Sequence, residues 1–261
     1  MRKISASYII PNTGDPIKNG ILILNDDNSV AELIDTRGIV KEIQDLEYYS
    51  GVLVPGFVDV FTFLSWPKIN ADQLKSKNST KFTNQLMQLS VGDFADTQSV
   101  QRAVNHLEAY GTKAAADFFP TDTSRNIKTN STVIFRDVHK DSLDEIMRDS
   151  AYVLSDMSYS LLGRLFDCNI SLNNTYCIGT GSLSTHQKLS VFDELKYIQN
   201  IRPDLNLDLL IKWGCLNGAK ALKFDHMGSF EPGKNPGVNL ITNIDYENFC
   251  LKAESRLKVL V

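Results

Sequence analysis

The sequence predicts an α/β protein in which a parallel, barrel-like run of strands and helices is flanked by a smaller all-β part. Three observations predict it. Residues 52–66 (VLVPGFVDVFTFLSW) form an almost unbroken apolar run, as expected of a strand buried on both faces. Residues 84–222 alternate strand-like apolar segments with segments of helical periodicity. Both chain ends read instead as short strands divided by turn residues.

Taken in order, residues 4–10, 20–24 and 30–34 are apolar strands separated by the turn clusters 11–14 (PNTG) and 25–28 (NDDN). Such a small sheet needs a partner to cover it. Pro55-Gly56 interrupts the run that begins at Val52, and a second apolar stretch follows from Phe57 to Leu64. Residues 84–89 and 99–110 read as helices, the second placing Val100, Ala103, Leu107 and Tyr110 on one face. Gly111 then stands where a helix-ending glycine belongs. Strands are expected at 113–119, 132–138, 151–154 and 175–179, with helices at 142–148 and 160–166. Ser190-Val-Phe-Asp193 has the pattern of a capping box opening a helix to Gln199, with Val191, Leu195 and Ile198 as its apolar stripe. A further helix is expected over 207–222. A turn-rich stretch at 228–241 ends in a strand, and 256–261 reads as another.

The bulk composition excludes several classes. The chain has 261 residues, 43% hydrophobic and 22% charged, ordinary globular proportions. Its 27 Lys and Arg against 31 Asp and Glu leave a net charge of −4, and no basic cluster points to a nucleic-acid groove. The apolar run at the N-terminus is cut after Ile10 by Pro11, too early for a secretory signal, and no stretch approaches the ~18 apolar residues of a membrane span. The four cysteines, Cys168, Cys177, Cys215 and Cys250, include no C-x-x-C pair and read as free thiols in a reducing compartment. A cytoplasmic location is expected, with neither nucleic acid nor membrane as partner.

Residues 52–66 also resemble the first barrel strand of the amidohydrolase superfamily: an apolar run, Pro-Gly-Phe/Leu-Val/Ile-Asp, then His-x-His. Ile178-Gly-Thr-Gly-Ser-Leu-Ser184 resembles that superfamily's last-strand motif Leu-Gly-Thr-Asp-Ser. Asn217-Gly-Ala-Lys-Ala-Leu222 is similar to the helix motif that follows it, and Gly228, Ser229, Gly233 and Lys234 match the closing motif. The resemblance covers 50–66 and 176–241, in the chlorohydrolase and cytosine-deaminase-like branch, and identifies the chain as a shortened, degenerate member. It implies a (β/α) barrel of the TIM type, here abbreviated or distorted, over 51–227. It also implies a composite β-sandwich formed by 1–50 and 228–261. About five barrel-type strands can be counted, fewer than a closed barrel's eight.

The chemistry implied by the resemblance is hydrolysis of carbon–nitrogen bonds by water activated on one or two divalent cations such as zinc. The ligands implied are the His-x-His pair, histidines on middle strands and an Asp on the last strand. Here those positions carry Phe61, Phe63 and Gly181. A phenyl ring has no lone pair to donate and glycine has no side chain, so the expectation is a plugged mouth, no resident cofactor and no metal-dependent hydrolysis. The alternative is an active hydrolase on a rebuilt metal site, using His139 and His186 with the strand-end aspartates Asp59, Asp117 and Asp156. Trp66, Ser182 and the positions already named complete the barrel-mouth candidates. His106 and His226 read as helix-surface and loop residues. On the first reading the chain is a binding or interaction protein, as a homodimer or in association with a related full-length paralogue.

Overall fold

The computed structural model describes residues 1–41, 43–65, 96–139, 176–183 and 187–261. Two sheets organise them. The first is seven-stranded and draws on both chain ends. It contains β1 (Arg2–Ile9), β2 (Ile17–Lys18), β3 (Ile21–Leu24), β4 (Val30–Ile34) and β5 (Leu46–Pro55). The second sheet follows directly: β6 (Phe57–Thr62), then α1 (Thr97–Ala109), β7 (Thr112–Phe118), α2 (Asp122–Lys128) and β8 (Ile134–Val138). Beyond residue 187 come α3 (Val191–Ile201), α4 (Leu207–Lys212), a π-helical turn (Trp213–Asn217) and α5 (Gly218–Ala221). The chain then returns to the first sheet with β9 (Val238–Thr242) and β10 (Arg256–Val259).

The strand order of the first sheet is β10-β9-β5-β1-β3-β4, with β2 paired to β1. β1 and β5 are parallel, whereas β5–β9, β9–β10, β1–β3 and β3–β4 are antiparallel. Both faces of its centre are buried because successive side chains alternate. Leu53 and Leu240 join Ile4, Ala6, Leu22, Val30 and Phe230 in one cluster. Val52, Val54 and Ile241 face the other way and pack with Leu195, Leu207, Leu210 and Trp213 of α3, α4 and the π turn.

The second sheet is parallel, in the order β6-β7-β8. Residues 178–181 lie along the free edge of β6: Val60 N–H donates to Ile178 C=O, Gly181 N–H to Phe61 C=O and Phe63 N–H to Gly181 C=O, at 2.8–2.9 Å. A bridge between Thr62 and Gly181 is also parallel. The last-strand segment therefore pairs with the first strand. Among the described residues these strands form an arc and no closed barrel.

The expected run from Val52 divides at Gly56. Pro55 pairs with Val238 in the first sheet and Phe57 with Thr112 in the second, so an expected division at residue 51 falls within β5. Gly56 suits the crossing because a Cβ there would meet Lys113 Cγ and Pro236 O at 2.3 Å. α1 is capped by Asp96, whose carboxylate accepts from Ser99 N–H at 2.8 Å, and Gly111 follows it at φ +75°. α2 lies outside the sequence expectations. A reciprocal capping box, Thr121 with Ser124, starts it, and with Ser in place of the usual Glu or Gln it carries a weaker sequence signal. Ser190 caps α3 as expected by accepting from Asp193 N–H. The single helix expected over 207–222 contains the π turn, where one extra residue is fitted between flanking α-helical turns. The elements expected at 84–89, 142–148, 151–154 and 160–166 lie outside the described residues.

Candidate functional site

The C-terminal end of β6 brings the two substituted histidine positions together. Phe61 and Phe63 are both essentially buried, with ring centroids 4.9 Å apart and edge-to-face. Phe118 at the end of β7 approaches Phe61 at 4.6 Å and Phe63 at 5.6 Å. Phe119 adds a fourth ring, 6.0 Å from Phe63. It sits at φ +54°, in the left-handed region that a bulky side chain rarely adopts, and its N–H donates to Val138 C=O at 2.8 Å. Ring separations of this kind are attractive beyond simple burial. The four phenyl groups occupy the space over the strand ends, together with Val138, Cys177 and Met227 of the same cluster.

Asp59 lies beneath Phe61 and is wholly buried. Its Oδ1 accepts from Phe61 N–H at 3.2 Å and Thr180 N–H at 3.1 Å, and its Oδ2 accepts from Thr180 Oγ1 at 2.5 Å. Burial pushes its carboxyl up to about 7, against the lowering effect of those three donors. Thr180, which the sequence reading did not single out, thus joins the last-strand segment to β6 through a side chain.

Asp117 is equally deep but belongs to a different neighbourhood. Its Oδ1 accepts from Leu64 N–H at 3.2 Å. Its Oδ2 accepts from Ser124 Oγ at 3.1 Å and Lys128 Nζ at 2.8 Å, both on α2. Lys128 Nζ also donates to Asp137 on β8, and Arg125 Nε reaches the same carboxylate at 3.2 Å. Burial raises the Asp117 carboxyl above its ordinary range, and the lysine works in the opposite direction. The cluster clamps α2 across the ends of β7 and β8.

The remaining candidates are more dispersed. His139 is exposed, just past β8. Gly181 sits at φ +73°, a conformation glycine adopts without cost, and Ser182 beside it is buried. Trp66, Asp156 and His186 lie outside the described residues. His226 is exposed in its loop and half-buried His106 stacks edge-on to Tyr110 at 5.9 Å, as expected for surface positions. Cys177, Cys215 and Cys250 are free thiols, and Cys168 lies outside the described residues. Burial pushes the Cys177 thiol up to about 12 and raises Cys215 as well, so both are unreactive at neutral pH.

Among the described residues, the donor chemistry at these positions does not fit the cation that the resemblance implies. The three positions offer two phenyl rings and a hydrogen atom, and Asp59 and Asp117 spend their oxygens on Thr180, Phe61, Leu64, Ser124 and Lys128. Among the described residues no three His, Cys, Asp or Glu side chains converge as a metal site. A groove of about 1060 Å³ lies elsewhere, between α3 and residues 250–254, lined by Lys188, Asp193, Lys196, Tyr197 and Lys252, and it contains none of the candidate residues. No helix among the described residues is long and apolar enough to cross a membrane.

No family model matches the chain, and no curated protein matches it. Solved structures do. Helicobacter pylori aminofutalosine deaminase superposes with a TM-score of 0.60 at 12% identity, over 99% of this chain and 98% of that one. The atrazine chlorohydrolase of Arthrobacter aurescens, solved with zinc, gives 0.61 at 10% identity, over 98% and 92%. Adenosine deaminase from Xanthomonas campestris, with bound zinc, gives 0.54 at 13% identity, over 92% and 84%. These neighbours are amidohydrolase-superfamily deaminases and chlorohydrolases, and at such identities the likeness is one of fold.

Proposed function

We propose that this chain is a degenerate amidohydrolase-like protein that has given up metal-dependent hydrolysis and acts as a binding or interaction protein. The observation that carries the reading is the packing of Phe61, Phe63, Phe118 and Phe119 over the strand ends, where the resemblance calls for metal ligands. A mouth filled by four rings is stabilised by its own burial and needs no cation to hold it together. The architecture that goes with this reading is an abbreviated TIM-type barrel and a composite two-layer β-sandwich from the chain ends, changing over at Gly56. The shared cluster of Ile4, Leu22, Val30, Phe230, Val238 and Leu240, drawn from both ends, supports their assembly into one unit around the seven-stranded sheet. The protein works in the cytoplasm as a homodimer or beside a related full-length paralogue. The candidate positions that go with this reading are Asp59, Phe61, Phe63, Asp117, Gly181 and Ser182, which are buried, the exposed His139, and Trp66, Asp156 and His186, which lie outside the described residues.

The test is elemental analysis of protein purified without chelator or affinity-tag metal. Zinc, iron and manganese each well below one per chain are expected. A stoichiometric metal overturns the reading and returns the chain to the hydrolases of carbon–nitrogen bonds, with His139 and His186 as the first positions to substitute.

A further inference from the structure

The groove of about 1060 Å³ between α3 and residues 250–254 lies away from the strand ends, and the chain's own bonds hold its walls in place. Buried Gln199 ties the walls together: its Nε2 donates to Leu205 C=O at 2.8 Å and its Oε1 accepts from Leu251 N–H at 3.2 Å. On the far wall Ser255 Oγ accepts from Lys252 N–H and donates to Asn243 C=O, both at 2.9 Å. A surface fixed beforehand loses little entropy when something settles on it.

Its charges are unevenly spent. Among the described residues three lysines, Lys188, Lys196 and Lys252, line it against two carboxylates, Asp193 and Glu254, in a chain whose net charge is −4. Asp193 is shared: Lys196 Nζ approaches it at 3.1 Å and Lys188 Nζ at 3.7 Å. The same two ammonium groups stand over aromatic rings, Lys188 over Tyr110 at 5.3 Å and Lys196 over Phe192 at 5.2 Å, which restricts where they lie. Lys252, on the opposite wall, makes no ion pair among the described residues. Asp245, within reach of the Lys252 charge, spends its oxygens on the Glu247 and Asn248 N–H groups and the Asn248 amide. An ammonium carries several N–H donors, so both walls keep donors to offer an anion.

We propose that this groove takes an acidic segment of a partner protein, lying along α3 between Lys188 and Lys196 on one wall and Lys252 on the other. Its dimensions suit a chain better than a single small anion. The 11 residues of α3 span ~16 Å, and small-molecule pockets reach about 1,000 Å³ with mainly apolar walls. Asp193, Lys196 and Asn200 recur at helical spacing, so one face of α3 presents charged and amide groups together. The Asn200 amide can serve the main-chain N–H and C=O groups of an extended segment while the lysines serve its carboxylates. The groove stands whether or not the strand ends hold a metal, and so goes beyond the proposed function.

The test uses fluorescently labelled hexaglutamate, acetylated and amidated at its ends, titrated with the whole chain and read by anisotropy. Saturable binding is expected at about 20 mM salt, weakening by at least about tenfold at about 500 mM because the lysines are partly exposed to solvent. Lys196→Glu with Lys252→Glu should lower affinity by at least about tenfold, since each change turns an attraction into a repulsion. Lys41→Glu with Lys220→Glu, at exposed positions outside the groove, makes the same change in net charge and should leave affinity within about threefold. Absence of saturable binding overturns the proposal, as does an equal loss in the two double variants. Free glutamate displacing the probe at the same concentration as unlabelled hexaglutamate also overturns it, in favour of a small-anion site. Should Lys196→Glu with Lys252→Glu not fold, amide chemical shifts of the unsubstituted chain decide. Changes concentrated at 193–200 and 250–255 on adding hexaglutamate support the groove, and changes elsewhere remove it. Metal content enters none of these readouts, so this proposal and the proposed function fail separately.

Discussion

Replacing Phe61 by alanine separates a packed core from an open mouth. The ring is fully buried, so its removal forfeits the transfer free energy of a large apolar side chain, about 2–3 kcal/mol. It also forfeits two edge-to-face contacts, with Phe63 at 4.9 Å and Phe118 at 4.6 Å, each worth about 0.5–1.5 kcal/mol. Strand β6 and its neighbours hold the surrounding backbone, so the cavity cannot fully collapse. The total expected loss is about 3–5 kcal/mol, the range measured for Phe→Ala in cores. Equilibrium urea denaturation read by tryptophan fluorescence and by circular dichroism would measure it, with coincident transitions as the check on two-state behaviour. A loss below about 1 kcal/mol would refute the reasoning. It would mean that the ring stands in a solvent-filled mouth and that the phenylalanine cluster is not what closes the strand ends.

Three further outcomes follow from other parts of the molecule. Lys128→Met leaves Asp117 and Asp137 without their shared cation and should destabilise by about 3–5 kcal/mol in the same urea assay, while adding Asp117→Asn should recover part of the loss. Glu47 is held down to about 2 by its bonds to Arg2 and Tyr49, so the stability it contributes is present above pH ~4.5 and lost as pH falls through 2. Melting curves from pH 5 to pH 2 should show a smaller acid-induced drop in Glu47→Gln than in the unsubstituted chain, modest because the pair is partly exposed to solvent. Gly56→Ala should lower the melting temperature by several degrees, corresponding to about 2 kcal/mol or more, because the added carbon meets the Pro236 backbone oxygen at 2.3 Å and that atom cannot move aside cheaply.

Much of this fold was legible in the sequence because the relevant signals are local. Strands β1, β3 and β4 follow from apolar segments punctuated by turn residues, and α1 and α3 from their apolar stripes and caps. The π turn was not legible, since Trp213–Asn217 keeps an apolar helical pattern and only tertiary contacts, such as Asn217 Nδ2 to Tyr176 C=O at 2.7 Å, reveal the extra residue. At the candidate site the substitutions at 61, 63 and 181 could be read directly. What could not be read was which way each carboxylate turns. Asp59 and Asp117 both stand near strand ends, yet one bonds across to Thr180 and the other to α2, a helix that the sequence reading passed over. Neither Thr180 nor Lys128 carries a motif, and each gains its role only when distant segments are brought together.

The crossing between the two sheets shows why the fold tolerates change at the strand ends. Gly56 N–H donates to Pro236 C=O in the terminal part of the chain, and the next residue, Phe57, donates to Gly111 C=O ahead of β7. The same Gly111 oxygen accepts Asn239 Nδ2 from β9 at 2.9 Å, so one carbonyl is shared by strands of both sheets. Gly111 has no room for a side chain, since a Cβ there would meet the Asn239 amide at 2.4 Å. All of these contacts lie at the end of β6 opposite to Phe61 and Phe63. The joint is buried backbone hydrogen bonding, indifferent to what occupies the other end of the strand, where the aromatic cluster contributes stability through burial and ring–ring contact. Substitution at 61 and 63 therefore changes the chemistry available at the strand ends without disturbing the contacts that register one sheet on the other.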